Sequence, residues 1–146
     1  MGIYATLRIV DCKPDKEHIN GPHVEEPSET EREFDLDQSW KYLDSALIEF
    51  GEPVARAFQG DYASDMNGKD AYSFNSVSPE LVKRIADALA KLPFQSVADS
   101  MRKEYNASNQ EFTDDLKEYL EYHYANLSSA YALAAKLNAR IDISKS

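Results

Sequence analysis

The stretch 113-TDDLKEYLEYHYANLSSAYALAAKLN-138, followed directly by 139-ARIDIS-144, predicts a long helix and a closing strand. Thr113 is a typical helix N-cap, and the two aspartates after it complement the positive end of the helix dipole. Asn138 favours a helix stop. Beyond it, Ile141 and Ile143 alternate with polar residues, which indicates a strand. Apolar residues recur along the helical part at Leu116, Leu120, Leu127, Ala134 and Leu137.

Working outward, the opposite end of the chain predicts a second terminal strand over Ile3–Val10, which is rich in β-formers. Between the two ends, helices are expected at about 78–92, where Ser78 caps and Pro79 opens the helix, and at about 95–105. Residues 71–77 read as a short extended segment, and 54–58 as a strand or one helical turn. Terminal strands with helices between them predict an α+β domain, with both ends in a small sheet packed against about four helices.

The first helix is expected over about Asp37–Phe50, with Asp35 or Asp37 as its N-cap. Leu36, Trp40, Leu43 and Leu47 recur every three to four residues, so Trp40 is expected in the core. Gly51 and Pro53 follow as stop signals.

Composition limits the classes of function. The chain has 146 residues, 42% of them hydrophobic, with 26 acidic against 16 basic residues and a formal net charge of −10. This size predicts one domain over residues 1–146, and the charge argues against nucleic acid and anionic membranes as partners. Cys12 is a single cysteine, and no apolar run reaches membrane-spanning length, so a cytoplasmic location is expected.

The charge is concentrated in one segment. Residues 15–37 hold nine acidic and two basic residues, a net of −7, together with Pro22, Pro27 and Gly21. Such composition predicts an acidic loop or arm. A solvated loop is one interpretation of it, and a surface that attracts a basic partner is the other.

Several short motifs occur in an order that resembles the YfbM-like family, a domain of unknown function. They are 34-FDLDQSWKYL-43, 53-PVARAFQG-60, 78-SPELVKRIADAL-89 and the Leu127/Tyr131 spacing before the closing strand. The resemblance covers mainly residues 34–143 and implies an α+β fold, without an activity. The acidic arm and a shortened region between Leu92 and Phe112 depart from the family pattern.

Signals for catalysis or metal binding are weak. His18 and His23 lie among glutamates, and His123 lies near Glu121, but none of them has the spacing of a zinc motif. No catalytic residue, metal or cofactor is therefore predicted. For Asp35 and Asp37 we favour helix capping over catalysis, because no partner base can be named. The motif residues Asp35, Asp37, Trp40 and Leu43 are expected to be structural.

These observations predict a non-enzymatic acidic domain that binds a basic protein, in the manner of an antitoxin or immunity-type inhibitor. Exposed tyrosines of the long helix would complete the contact. The alternative is a small-molecule- or metal-dependent enzyme with a cleft near Asp35, Asp37 and Trp40, and a third possibility is a scaffold whose charge serves solubility. The oligomeric state stays open. The partner-binding carboxylates are predicted to be Glu25, Glu26, Glu29, Glu31, Glu33, Asp61 and Asp65.

Overall fold

The computed structural model describes residues 4–10, 33–60 and 74–145. Within these ranges the chain forms four strands and four α-helices, and a 3-10 turn lies at Val54–Arg56. The α+β class predicted from the sequence is confirmed. In chain order the elements are β1 Ala5–Val10, β2 Glu33–Asp37, α1 Ser39–Ile48, β3 Phe74–Val77, α2 Pro79–Ala90, α3 Phe94–Ala107, α4 Asp114–Leu137 and β4 Arg140–Lys145.

The four strands form one antiparallel sheet in the order β2-β1-β4-β3. The two terminal strands are neighbours at its centre, where Leu7 pairs with Ile143 and Ile9 with Ile141. The prediction that both terminal strands belong to one small sheet is therefore confirmed. The edge strand β2 ends where the long helix α4 passes, and this places the candidate site.

One face of the sheet is apolar and fully buried. Leu7 and Ile9 of β1 lie on it beside Ile141 and Ile143 of β4, and all four belong to the main core cluster. Residues of the opposite parity, such as Arg8, point to the other face. The helices pack on the apolar face, and α4 contributes the buried residues Leu120, Leu127, Ala130, Tyr131 and Ala134.

The local start and stop signals act as predicted for α2 and α4. The Ser78 hydroxyl accepts a hydrogen bond from the Leu81 amide at 3.4 Å, and that of Thr113 accepts from the Leu116 amide at 3.1 Å. Asn138 ends α4 in the left-handed conformation, at φ 57°. The short segment after α1 forms a 3-10 turn rather than a strand.

The region before α1 corrects two predictions. Residues 33–37, expected at the end of an acidic loop, form strand β2. The predicted capping by Asp35 or Asp37 is wrong, because α1 begins at Ser39 with Gln38 at its N-cap and no side-chain cap bond. The Ser39 hydroxyl instead donates to the Leu36 carbonyl. Residues 15–32 of the predicted arm lie outside the described residues.

Among the described helices, none is both long and apolar enough to span a membrane.

Candidate functional site

Strand β2 and helix α4 meet through a hydrogen bond between residues that lie 82 positions apart. The Tyr119 hydroxyl donates to Oδ2 of Asp37 at 2.9 Å. Asp37 is held in the left-handed region at φ 54°, which costs about 1–2 kcal/mol for a residue with a side chain. The β1–β2 register is irregular at the same place, between Ala5 and Thr6. We call the surrounding group the β2–α4 junction: Asp35, Asp37, Tyr42, Tyr119, Tyr122 and His123.

The two carboxylates of the junction lack a compensating cation among the described residues. Asp35 is exposed, and its Oδ1 accepts from the Asp37 amide at 2.9 Å. The ion pairs found in the described ranges are all formed by other residues. Each aspartate therefore keeps one carboxylate oxygen without a protein donor in this part of the chain, and the like charges lie two residues apart.

His123 is the buried polar residue of the junction. It is 7% exposed, and its ring lies between Tyr119 and Tyr122, with edge-on centroid distances of 4.8 and 5.1 Å. Its Nδ1 is buried without a hydrogen-bond partner, a situation that typically costs about 1–3 kcal/mol. Burial lowers the pKa of His123, and the nearby charges of Asp37 and Asp35 oppose this shift only in part.

The junction also exposes aromatic surface. Tyr122 is 66% and Tyr42 38% exposed. Burial, together with the hydrogen bond to Asp37, raises the pKa of Tyr119 to about 12, and the nearby Tyr42 adds to the shift. The expectation that the long helix carries exposed tyrosine is confirmed for Tyr122, whereas Tyr124 and Tyr131 are buried.

A second polar group lies on the other side of α1. The Lys145 Nζ sits 4.9 Å from the centroid of the Trp40 ring, and burial lowers the pKa of this lysine against the opposing effect of Asp44. Burial likewise raises the pKa of Asp44, whose carboxylate accepts weakly from Gln59 at 3.4 Å. Trp40 also packs against Phe58 and is half-buried at the edge of the core. Trp40 and Asp37, predicted in one cleft, thus contribute to different sets of contacts.

The structure places the remaining predicted residues as follows. Leu43 is fully buried, in agreement with a structural role, and Glu33 is exposed at the start of the edge strand. His18 and His23 lie outside the described residues. Within the described ranges, no three His, Cys, Asp or Glu side chains converge as metal ligands would. Six of the predicted partner-binding carboxylates are also outside the description: Glu25, Glu26, Glu29, Glu31, Asp61 and Asp65.

Sequence reasoning did not assign Tyr119 and His123 to the site. The two residues are four positions apart on α4, a spacing that indicates only that they share one face of the helix. What lies against this face is strand β2, an element that the sequence did not predict. A strand ending in an aspartate beside a tyrosine-rich helix is a signal that could have pointed to the contact.

The arrangement defines a class of protein: a small α+β domain with a four-stranded antiparallel sheet covered on one face by helices, and a carboxylate–tyrosine junction at one edge. The chain belongs to the family described as Domain of unknown function (DUF1877), whose model matches residues 1–141. The YfbM-like resemblance seen in the sequence is thereby confirmed.

Among solved structures, the chain is similar to the crystal structure of YfbM from Escherichia coli, a protein of unknown function. The TM-score is 0.55 at 13% sequence identity, over 96% of this chain and 97% of the other. At that identity the likeness concerns the fold alone. A comparison with curated proteins found no match.

Proposed function

We propose that residues 1–146 form one acidic binding domain that recognises a basic protein through the β2–α4 junction, as an inhibitor of the antitoxin or immunity type. The observation that carries the proposal is the junction itself. Asp35 and Asp37 have no cation partner among the described residues, Asp37 accepts from Tyr119, and the exposed Tyr42 and Tyr122 are neighbours of Tyr119 and His123 respectively. Tyrosine is enriched where proteins bind one another, because its ring buries a large area and its hydroxyl stays able to hydrogen-bond.

The surrounding charge supports a basic partner. The N-terminal half of α4 exposes four carboxylates against the half-buried Lys117, whereas the exposed Glu33 of β2 lies opposite Arg8 in the β1–β2 register. The four are Asp114, Asp115, Glu118 and Glu121. A surface with one sign of charge raises the association rate of an oppositely charged partner.

The acidic segment has a separate role in this proposal. Glu25, Glu26, Glu29 and Glu31, together with Asp61 and Asp65, would steer the partner from a distance, and the junction would hold it. Steering acts on the association rate and is screened by salt, whereas contacts made after docking act mainly on the dissociation rate. The two contributions can therefore be separated by experiment.

The test is affinity capture from a lysate of the native cells at low salt, with three baits. The first is the wild type, and the second is the double variant Asp35→Asn, Asp37→Asn. The matched control is Asp87→Asn, Asp99→Asn, which removes two exposed carboxylates that pair locally with Lys91 and Arg102.

A basic protein retained by the wild type and the control, and lost by the junction variant, is the expected result. Retention by all three baits at equal level would contradict binding at the junction. If the retained protein is an enzyme, inhibition of its activity by the wild type, and not by the junction variant, tests the antitoxin or immunity role.

The second candidate is a small-molecule- or metal-dependent enzyme at the same place. It is favoured by the combination of two carboxylates, a tyrosine and a histidine whose lowered pKa keeps it neutral, since such groups serve in proton transfer. Elemental analysis of the purified protein discriminates the metal-dependent form. Stoichiometric zinc or manganese, lost in the Asp35→Asn, Asp37→Asn variant, would place this candidate first.

A further inference from the structure

The junction has several hydrogen-bonding atoms that the described residues leave unpaired. Asp35 and Asp37 each keep a free carboxylate oxygen, and the buried Nδ1 of His123 has no partner. His123 contacts the ring of Tyr119, and the Tyr119 hydroxyl donates to Asp37. His123, Tyr119 and Asp37 therefore form one connected set of contacts. Buried polar atoms in native proteins are nearly always satisfied, and one that is not commonly marks a place for a bound group.

The chemistry of these atoms specifies what would satisfy them. All of them accept hydrogen bonds, provided that His123 is neutral with Nδ1 unprotonated, and two of the groups carry negative charge. Aromatic rings line the same place, with Tyr122 being 66% exposed. A guanidinium group is planar and always charged, presents five N–H donors in a fixed fork, and stacks on aromatic faces. An ammonium group is a compact charge without the fork, and a metal ion would need converging ligands, which the described side chains do not provide.

We propose that the β2–α4 junction is a binding subsite for an arginine side chain of the basic partner. The guanidinium donates to the free oxygens of Asp35 and Asp37 and lies against the ring of Tyr122. In the bound state this exposed ring has rotated onto the guanidinium and uncovers Nδ1 of His123, which accepts one N–H. This inference rests on the proposed function and narrows it, since it names the chemical group that the domain reads on its partner.

The experiment titrates the purified protein with Nα-acetyl-arginine methylamide at low ionic strength and pH 7.5. Binding is followed through the backbone amide spectrum and the ring nitrogens of His123. The corresponding lysine derivative is the chemical control. Asp37→Asn is the test variant, because asparagine tolerates the left-handed backbone that Asp37 adopts. Asp87→Asn, an exposed carboxylate on α2, is the matched control variant.

The expected dissociation constant is on the order of 1 mM, as suits one side chain. Shifts should centre on Asp35, Asp37, Tyr122 and the His123 Nδ1 resonance. Asp37→Asn should weaken binding about tenfold through loss of a charge-assisted hydrogen bond, the lysine derivative should bind several-fold more weakly, and Asp87→Asn should bind like the wild type.

The inference would be overturned by equal binding of the arginine and lysine derivatives, by unchanged affinity in Asp37→Asn, or by shifts confined to other parts of the molecule. Zinc that binds stoichiometrically and displaces the arginine derivative would also overturn it. Failure here is distinct from failure of the proposed function. A basic partner captured through the junction, combined with no response to the arginine derivative, would refute the arginine subsite alone.

Discussion

The two halves of helix α4 differ in how completely their polar groups are satisfied. In the C-terminal half, Leu127, Ala130 and Ala134 are fully buried, and the buried Tyr131 donates its hydroxyl to the Ala57 carbonyl at 2.6 Å. In the N-terminal half, the buried His123 keeps an unpaired nitrogen. The helix therefore contains a region whose buried polar side chain is hydrogen-bonded and a region that retains a buried nitrogen without a partner.

The difference indicates a division of labour along the helix. The C-terminal half packs in the core, and the hydroxyl of its buried Tyr131 is hydrogen-bonded to a neighbouring segment. In the N-terminal half, the Nδ1 atom of His123 has no hydrogen-bond partner, and this half also contacts Asp37, whose backbone is strained. Unsatisfied and strained groups persist where function offsets their effect on stability. Removing the hydrogen-bonded hydroxyl of Tyr131 should accordingly lower stability, whereas removing the unpaired nitrogen of His123 should raise it.

The largest effect on stability is expected from Leu127→Ala in the C-terminal half of α4. Leu127 is fully buried in the main core cluster, so the truncation removes apolar contacts and leaves a cavity. The free energy of unfolding should fall by about 2–5 kcal/mol. Urea denaturation measures this, and a loss below about 1 kcal/mol would contradict the assignment of this half to the core.

A smaller loss is expected from Tyr131→Phe, which leaves the buried Ala57 carbonyl without its donor. An unsatisfied buried acceptor costs about 1–3 kcal/mol. The matched substitution Tyr119→Phe removes a hydroxyl from the half-buried Asp37, which water can still reach, so its effect should be smaller. Equal losses in the two variants would remove the contrast between the halves.

The sequence predicts the ends and the buried face of α4 better than the contact of its N-terminal half with β2. The cap at Thr113, the stop at Asn138 and the spacing of Leu120 and Leu127 are local signals, and local signals determine where a helix lies and which face it buries. The alternation of Ile141 and Ile143 predicts the closing strand, and strands at both ends of the chain predict a shared sheet. The fold class could therefore be predicted.

The junction could not be predicted, because tertiary contacts create it. Strand β2 has acidic residues at every second position, Glu33, Asp35 and Asp37, and this composition predicts the end of an acidic loop rather than a strand. An edge strand tolerates such charges because one of its faces and one of its edges can meet water. Pairing with β1 then aligned Asp37 with a tyrosine that lies 82 residues away in the sequence.

A gain in stability is expected from His123→Leu in the N-terminal half of α4. The substitution removes the unpaired Nδ1 and places an apolar side chain between the rings of Tyr119 and Tyr122. We expect the free energy of unfolding to rise by about 1 kcal/mol, and partner binding to weaken. A destabilised His123→Leu protein would show that the histidine serves packing rather than binding.

The smallest effect concerns pH. Because burial lowers the pKa of His123 in the folded protein below its ordinary 6.5, the unfolded chain takes up a proton first as the pH falls. The part of the free energy of unfolding that depends on the protonation of His123 is thus fully present above pH 6.5. It is lost as the pH falls toward the folded-state pKa of this residue. Among the described residues, the titratable groups around it are Asp35 and Asp37 on β2 and Tyr119 and Tyr122 on α4.

This prediction is checked by denaturation at pH 7.5 and 5.5 for the wild type and for His123→Leu. The wild type should lose more stability between the two values than the variant does. Identical losses would mean that His123 titrates as it does in water and that the junction does not desolvate it.

The most direct test of the account measures association and dissociation rates with the captured basic partner over a range of ionic strength. We predict that replacing Glu25, Glu26, Glu29 and Glu31 by glutamine slows association steeply at low salt and little at high salt. Tyr122→Ala should instead speed dissociation and leave association nearly unchanged. An association rate that does not depend on salt, together with unchanged dissociation in Tyr122→Ala, would contradict both the steering by the acidic segment and the binding at the β2–α4 junction.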